Sequence, residues 1–515
     1  MLSLPSLARP TMNINPIRMS FVEHLYHEEE TRQSKVAMYR DYYDGKHATQ
    51  LTDRQRTYLE LKAEQEFSLN YCPVVVDSLS ERLRVTGFDL NGIESKDAAA
   101  EESAMYWRWW QQNRMDAQQG IVHTAAARDS VTYMLVSWSN ELQRPVFTHE
   151  MACVGSEGVK VHYDPAQRGV VAFASKRWLI ERGGDAGNVR RLNLYYPDRI
   201  EKYISDGEED KGIWKRYIDV DAYGNAQIWP TPWTADGKPG GEIVGGVWQP
   251  RPDAQPLGVP VYVFKNRDQG LNDGQSELED VIPVQNALNK TLIDMLATAD
   301  TGAFRILYLL GDADSSVKVG PGALFRTAQP PTGENSVSFG AIPGEDLRPF
   351  IELIDAVAVH IARVSRTPLT AFQMAGGGGN RVSGETLKQV ETGLVAKARK
   401  CQTDWGNSWE DVLAMARKLH NAFGQNENGY KPLTEDVILS TRWQDAEPRN
   451  EEAFLNELKV KREALQVPLE ILWAEAGYTP QQIKDMKETE EYQAVIAGMN
   501  ITIGDGLELG LADAA

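Results

Sequence analysis

The apolar positions of this chain change period several times, and each change marks a new kind of element. From Phe21 to about Lys62 the pattern is helical and strongly charged, with a turn at Asp44-Gly45. Val74, Val75, Leu79 and Leu83 recur at roughly helical spacing, and Gly87 ends that element. Met105 to Met115 reads as another helix, crowded with Trp107, Trp109 and Trp110, which are expected to be core or interface anchors. Between about Val131 and Phe264 the period shortens. YMLVSWS, VKVHYD, GVVAFASKRWLI, RLNLYYP, IWKRYIDV and AQIWP are β-rich runs separated by Gly, Asp and Pro clusters. They predict a mostly antiparallel meander.

After Pro260-Val261-Tyr262-Val263-Phe264 the chain turns helical again. Two helices, Leu278 to Asp300 and Glu345 to Ser365, bracket a short β insert from Phe304 to Phe339. Each spans about 30 Å at 1.5 Å per residue. Leu288, Leu292, Met295 and Leu296 form one apolar stripe; Leu347, Ile351, Ile354, Val357, Ile361 and Val364 form the other. Stripes of equal length on consecutive helices predict an antiparallel pair, with the insert at one end and the next loop at the other. That loop carries the run Gly376, Gly377, Gly378 and Gly379, whose backbone has the least intrinsic restriction. Ser383-Gly384-Glu385 then opens a long charged helix to about Phe423, and a last helical section runs from Pro448 to about Ala497. The fold class this predicts is α+β.

Composition bounds what such a chain does. At 515 residues it is too long for one core. The excess of 73 Asp and Glu over 54 Lys and Arg gives a formal charge of −19, which argues against gripping nucleic acid by phosphate neutralisation. It leaves open a surface that lets nucleic acid pass. Cys72, Cys153 and Cys401 are in no paired spacing, so neither a disulfide framework nor a thiolate metal site is expected. The start, MLSLPSLARPTMN, lacks the basic and apolar regions of a signal peptide, and no apolar run reaches the length of a membrane span.

The chain carries few motifs of recognisable chemistry. Gly45-Lys46 and Gly237-Lys238 lack the spacing and hydroxyl of a phosphate loop. His27-Glu28-Glu29-Glu30-Thr31 has Thr where a zinc protease has its second His. Asp219-Val220-Asp221 opens like a calcium loop, but Tyr223 and Pro230 spoil it, and a hairpin turn is expected instead. No nucleophile elbow is present, and His24 and His27 read as exposed helix polarity. No catalytic residue, metal or cofactor is expected.

Several local strings, in order, resemble the portal proteins of long-tailed bacteriophages, the head–tail connector family. They are YRDYYDGKH at Tyr39 to His47, NYCPVVVDSLSERL, and GVPVYVFKNRDQGLNDGQSELEDVIPVQNALNKTLIDM at Gly258 to Met295, whose helix carries Asn286 and Asn289. TPLTAFQ followed by SGETLK, and VPLEILWAEAGYTPQQIKDM at Val467 to Met486, complete the series.

The resemblance implies a portal fold: an arm at 1–20, a wing at 21–275 that is β-rich from about 131, and stem helices at 276–301 and 345–366. Between and after these it implies a clip at 302–344, a tunnel loop at 367–382, and a long helix with a return to the wing at 383–447. A crown at 448–498 and a tail at 499–515 complete it. It further implies a homo-oligomeric ring of about twelve copies at one capsid vertex. That ring would pass double-stranded DNA and dock the terminase large subunit, then head–tail adaptors, beside major capsid and scaffold proteins. It would belong to the virion, with assembly in the host cytoplasm. The DNA-channel residues would be Gln373, Gly376, Gly377, Gly378, Gly379, Asn380 and Arg381, with Lys388 as a further phosphate contact. Two competing readings are another ring-forming adaptor or tail protein and a nucleic-acid enzyme with an unrecognised site.

Overall fold

The computed structural model describes residues 30–47, 56–57, 68–93, 95–155, 157–167, 169–180, 189–206, 213–220, 225–244, 247–270, 273–302, 306–310, 338–342, 346–372, 384–426, 430–447, 451–478 and 480–488. It divides into two compact units, residues 1–40 with 74–279 and 374–515, and residues 41–73 with 280–373. Helix and sheet are mixed throughout, so the fold is α+β.

The first unit begins on helix α1 (Glu30–Tyr43) and continues through α2 (Cys72–Ser80), β1 (Val85–Asn91), α3 (Lys96–Gln112) and α4 (Met115–Asp129). Ser95 caps α3, its hydroxyl accepting from Ala98 N–H at 3.4 Å. The sequence pattern stops this region at Met115, yet a second helix follows immediately. Arg114 makes the break with φ 56°, a left-handed value costly for a side chain. α4 has no apolar stripe to reveal it, because Gln119, His123 and Asp129 are buried alongside Val122 and three alanines. Of the three tryptophans, Trp109 and Trp110 are core residues.

Strands β2 (Val131–Ser139) and β3 (Arg144–Met151) form a hairpin, and β12 (Val261–Lys265) joins the outer side of β2. Between them in sequence, β4 (Gly158–Tyr163), β5 (Val171–Ile180), β6 (Val189–Tyr195), β7 (Arg199–Asp206) and β8 (Ile213–Arg216) follow one another as an antiparallel meander, with β9 (Thr231–Pro232) also on β7. β10 (Gly241–Val244) and β11 (Val247–Pro250) make a separate ribbon. The hairpin turn expected at residues 219–224 lies partly outside the described residues; on its flanks Lys202 pairs with Asp219 and Val220 bridges Ala226. The segment after β8 is locked onto the meander by Arg199. Its guanidinium lies over the Tyr196 and Trp248 rings at 3.9 and 4.2 Å and binds Asp198 and Glu201 at 2.9 and 2.8 Å.

The helix α7 (Gly384–Phe423) organises this unit, its 40 residues giving about 60 Å of rod. Its second half buries Trp405, Trp409, Val412, Leu413, Ala416 and Leu419. It also covers the free edge of β12, a position that otherwise invites strand addition. There Trp405 Nε1 donates to Lys265 O at 2.7 Å and Ser408 Oγ to Val263 O at 2.8 Å. β15 (Ile438–Trp443) returns to pair with β1. Helices α8 (Glu451–Leu465), α9 (Leu469–Glu475) and α10 (Pro480–Lys487) end the described chain, with Lys461 bound to Glu457 and Glu475 at 3.1 and 2.9 Å.

The second unit is a helix pair, α5 (Ile282–Gly302) packed on α6 (Arg348–Ser365), with β13 (Ile306–Leu310) and β14 (Ser338–Ile342) antiparallel between them in sequence. The facing-stripe expectation is only partly met. Ile361 is fully buried, but Ile351 and Val364 are 51% and 46% exposed. The small residues Ala358, Ala362 and Ser365 are buried with Ile361, so the covered face is rotated from the large apolar stripe. Small side chains let helix backbones approach closely, which is why the hydrophobic pattern points elsewhere.

Candidate functional site

Within the second unit, the predicted channel segment starts from a braced end. Ser365 Oγ bonds Ile361 O and Thr367 Oγ1 at 2.8 and 3.0 Å, and Arg366 turns the chain with φ 54°. Thr367 N–H returns to Ala362 O at 3.0 Å, and one 3-10 turn (Leu369–Ala371) follows Pro368. The Phe372 ring then meets the edge of Tyr71, centroids 5.4 Å apart. Burial first, and the Asp355 charge second, hold the Tyr71 phenol above its usual range. Gln373, Gly376, Gly377, Gly378, Gly379, Asn380 and Arg381 lie outside the described residues, as does the side chain of Lys388 in the opening turns of α7.

The strongest polar construction in this unit gathers around Gln285, Asn286 and Asn289. Along one face of α5, Gln285 and Asn289 are four residues apart, with Asn286 beside them. Gln285 accepts from Tyr71 N–H at 3.1 Å and donates to Leu69 O at 2.5 Å. Asn286 accepts from the Tyr42 hydroxyl at 2.8 Å. Asn289 accepts from Leu69 N–H at 3.0 Å and donates to His47 Nδ1 at 2.6 Å. His47 Nε2 must then be the protonated nitrogen, since it faces the Tyr42 carbonyl oxygen at 3.0 Å. Tyr42 and His47 stack at 4.7 Å across the turn whose Gly45 has φ 80°. Asn70 bonds Tyr43 O and Cys72 N, both at 3.0 Å. The YYDGKH and NYC strings are therefore the two halves of a socket that seats α5. The signal available in sequence was a pair of amides four apart on an otherwise apolar helix face.

A second polar node, in the first unit, is built from the GQSELE string. Gly274 lies so close to the backbone that a Cβ there would sit 2.4 Å from the carbonyl oxygens of both Asn266 and Ser130. Ser276 Oγ donates to Arg128 O at 2.5 Å, and Glu277 N–H to Ala127 O at 2.9 Å. The buried Glu277 carboxylate accepts from Asn266 Nδ2 at 2.9 Å and from Lys397 Nζ of α7 at 2.6 Å. Next door, Arg40 and Arg128 both bind the fully buried Asp129 carboxylate, at 2.8 and 2.7 Å.

These nodes are satisfied internally and present no reactive group outward. The thiols of Cys72 and Cys401 are pushed up to about 12 by burial, which keeps them protonated and poorly nucleophilic. Among the described residues no group of His, Cys, Asp and Glu could hold a metal ion, and no helix is long and apolar enough to cross a membrane.

Among the described residues, these buried polar groups are spent on joining segments, and a helix pair brackets a β insert in sequence. The family model for phage portal proteins of the SPP1 Gp6-like type matches residues 22–495, and the chain belongs to that family. It is similar to the portal protein of Mycobacterium phage D29, with 25% identity over 366 residues, covering 68% of this chain and 65% of the relative. It is also similar to that of Mycobacterium phage L5, with 21% identity over 364 residues and the same coverage. The matched region thus spans just under two thirds of the length of these relatives.

Proposed function

We propose that this chain forms the ring-shaped channel at one vertex of a phage capsid, through which DNA is packaged, held and later ejected. The observation that carries the reading is the helix pair Ile282–Gly302 and Arg348–Ser365 around a β insert, inside a family match over residues 22–495. In this reading residues 21–275 are the wing, the helix pair is the stem, 302–344 the clip, 367–382 the tunnel loop, and 448–498 the crown. About twelve copies close the ring by heterologous contacts. Its partners are double-stranded DNA, major capsid and scaffold proteins, the terminase large subunit, and then head–tail adaptors. Assembly takes place in the host cytoplasm.

The mechanism is passive. Duplex DNA is a densely charged rod, and strong phosphate binding in the channel would oppose its passage. A chain of charge −19 avoids that grip. The segment Gln373–Arg381, rich in glycine, follows the grooves at little elastic cost. Arg381 and Lys388 give transient phosphate contacts. The protein supplies no chemical energy of its own and is not an enzyme. Electron microscopy of the purified protein, with light scattering on the same sample, tests the reading. Rings of about twelve copies with a central hole are expected; a chain that stays monomeric with scaffold and capsid proteins present overturns it.

A further inference from the structure

One face of the antiparallel meander carries polar groups that the protein itself leaves unspent. Arg191 and Asn193 stand two apart on β6, so both project from the same face of the sheet, about 7 Å apart. The Arg191 guanidinium lies over two rings, 3.4 Å from the centre of Tyr217 and 5.3 Å from that of Trp178. Its Nε is buried without a hydrogen-bond partner, and among the described residues no carboxylate pairs with it. Stacking on aromatic faces leaves the in-plane donors of a guanidinium available for a carboxylate or phosphate. The side-chain oxygen of Asn193, a residue only 8% exposed, also has no partner. Buried polar atoms left in this way are costly and rare.

Trp178 and Asn193 also line a cleft of about 720 Å³, an ordinary size for a binding site. Beside them the lining holds Arg40, Lys176 and Arg177 against Glu150 and Glu157. Lys202 stands opposite Asn193 on the neighbouring strand, and Lys215 continues the row of Trp178, Arg191 and Ile204. In a chain of charge −19 this face is locally cationic, which favours an anionic occupant. Two features select its class. Lys176 and Lys202 are already tied to Glu150 and Asp219, so the face lacks the continuous run of unpaired cations that a nucleic-acid backbone uses. The two unspent groups also differ in sense, since Arg191 needs an acceptor and the Asn193 oxygen needs a donor. A phosphodiester backbone offers acceptors alone, whereas a peptide offers both a side-chain carboxylate and a main-chain N–H. We propose that this face binds an extended acidic segment of a partner protein, Arg191 donating to a carboxylate and the Asn193 oxygen accepting from a main-chain N–H. The inference does not depend on ring assembly.

Two measurements on the full-length protein test it. The first is fluorescence anisotropy of labelled decaglutamate at low salt. Saturable binding is expected, weakened about tenfold by Arg191→Gln, the scale of a lost charge-assisted hydrogen bond. Decaglutamine, with the same backbone and no carboxylates, should bind at least as weakly as decaglutamate binds the variant. No binding to the wild type, or equal binding to the variant, overturns the proposal. A short DNA duplex that binds more tightly than the peptide, and loses as much in the variant, overturns it in favour of a nucleic-acid site. The second measurement keeps Arg191 intact. Met151→p-benzoylphenylalanine places a photo-cross-linker in the cleft wall. Cross-links to decaglutamate that excess unlabelled decaglutamate suppresses, and decaglutamine does not, are expected. Their absence overturns the proposal even where Arg191→Gln folds too poorly to be measured.

Discussion

Acidification should weaken the first unit through one imidazole, His123. It is completely buried, stacked on Trp405 at 5.3 Å and close to Trp443 at 5.4 Å. Its Nδ1–H donates to Leu83 O at 3.0 Å, and its Nε2 accepts from Trp409 Nε1–H at 3.2 Å. Burial lowers its pKa to about 3, only partly opposed by the Leu83 carbonyl. Protonation would also set a new N–H against the Trp409 N–H. The folded value is depressed below the unfolded one, so the unfolded state binds the proton more readily. The stability this residue supports is present above about pH 6.5 and is lost as pH falls toward 3. Between pH 7 and pH 5 the loss works out at about 2 kcal/mol. Most Asp and Glu carboxylates stay ionised in that window. Urea titrations followed by tryptophan fluorescence at the two pH values measure it. The variant His123→Gln keeps an amide donor and acceptor but cannot titrate. Its midpoint should fall much less than that of the wild type on acidification, whatever its stability at pH 7. Parallel shifts in the two proteins would refute the reasoning, because every other titrating group is common to both.

Asn289→Leu removes the acceptor for Leu69 N–H and the donor to His47, and should cost about 3 kcal/mol in thermal unfolding, against about 1 kcal/mol for Asn286→Ala. Gly274→Ala drives a methyl group into two carbonyl oxygens and should cost 2 kcal/mol or more, roughly, seen as a lower melting midpoint or loss of soluble protein. Deleting Gly376 to Gly379 should leave rings intact by electron microscopy while lowering packaged or retained DNA; failure to assemble would assign the segment a structural role instead. Purified protein incubated with DNA and Mg²⁺ should leave the DNA intact, and degradation with contamination excluded would revive the enzyme reading.

The parts legible in sequence are those where one physical requirement acts alone. Asp44-Gly45 reads as a turn because Gly45 takes φ 80°. The meander reads as strands because Gly, Asp and Pro interrupt every alternating run. α4 was illegible for the opposite reason. Its buried positions include Gln119, His123 and Asp129, each bonded inside the core, while its exposed ones include Ala117, Gly120 and Ile121, so polar and apolar residues do not sort by face and leave no period to detect. On α6 the apolar stripe holds in part: Ile361 is buried, with the small residues Ala358, Ala362 and Ser365 beside it, while Ile351 and Val364 remain exposed. Of the site, the strings were visible but not what joins them. Gln285 and Asn289 are ordinary residues until the Tyr42–His47 turn and Leu69–Tyr71 are brought against them.

That pattern of polar burial has a mechanical meaning. Two apolar helix faces slide past one another at small cost, because methyl groups exchange neighbours readily, whereas amides bonded to fixed backbone groups do not. Gln285 and Asn289 each hold two partners on the 69–71 segment and the His47 turn, and a shift of α5 by one turn would break all of these at once. Each broken buried bond costs about 1–3 kcal/mol, so the register of α5 is specified far more sharply than hydrophobic packing alone would set it. Glu277 does the same for α7, tying Lys397 to the loop that precedes α5. The proposed conduit role would call for this kind of rigidity. If the helix pair lines a channel, forces on the DNA-facing segment must be borne without slippage, and polar pins of fixed length provide that where an oily seam does not.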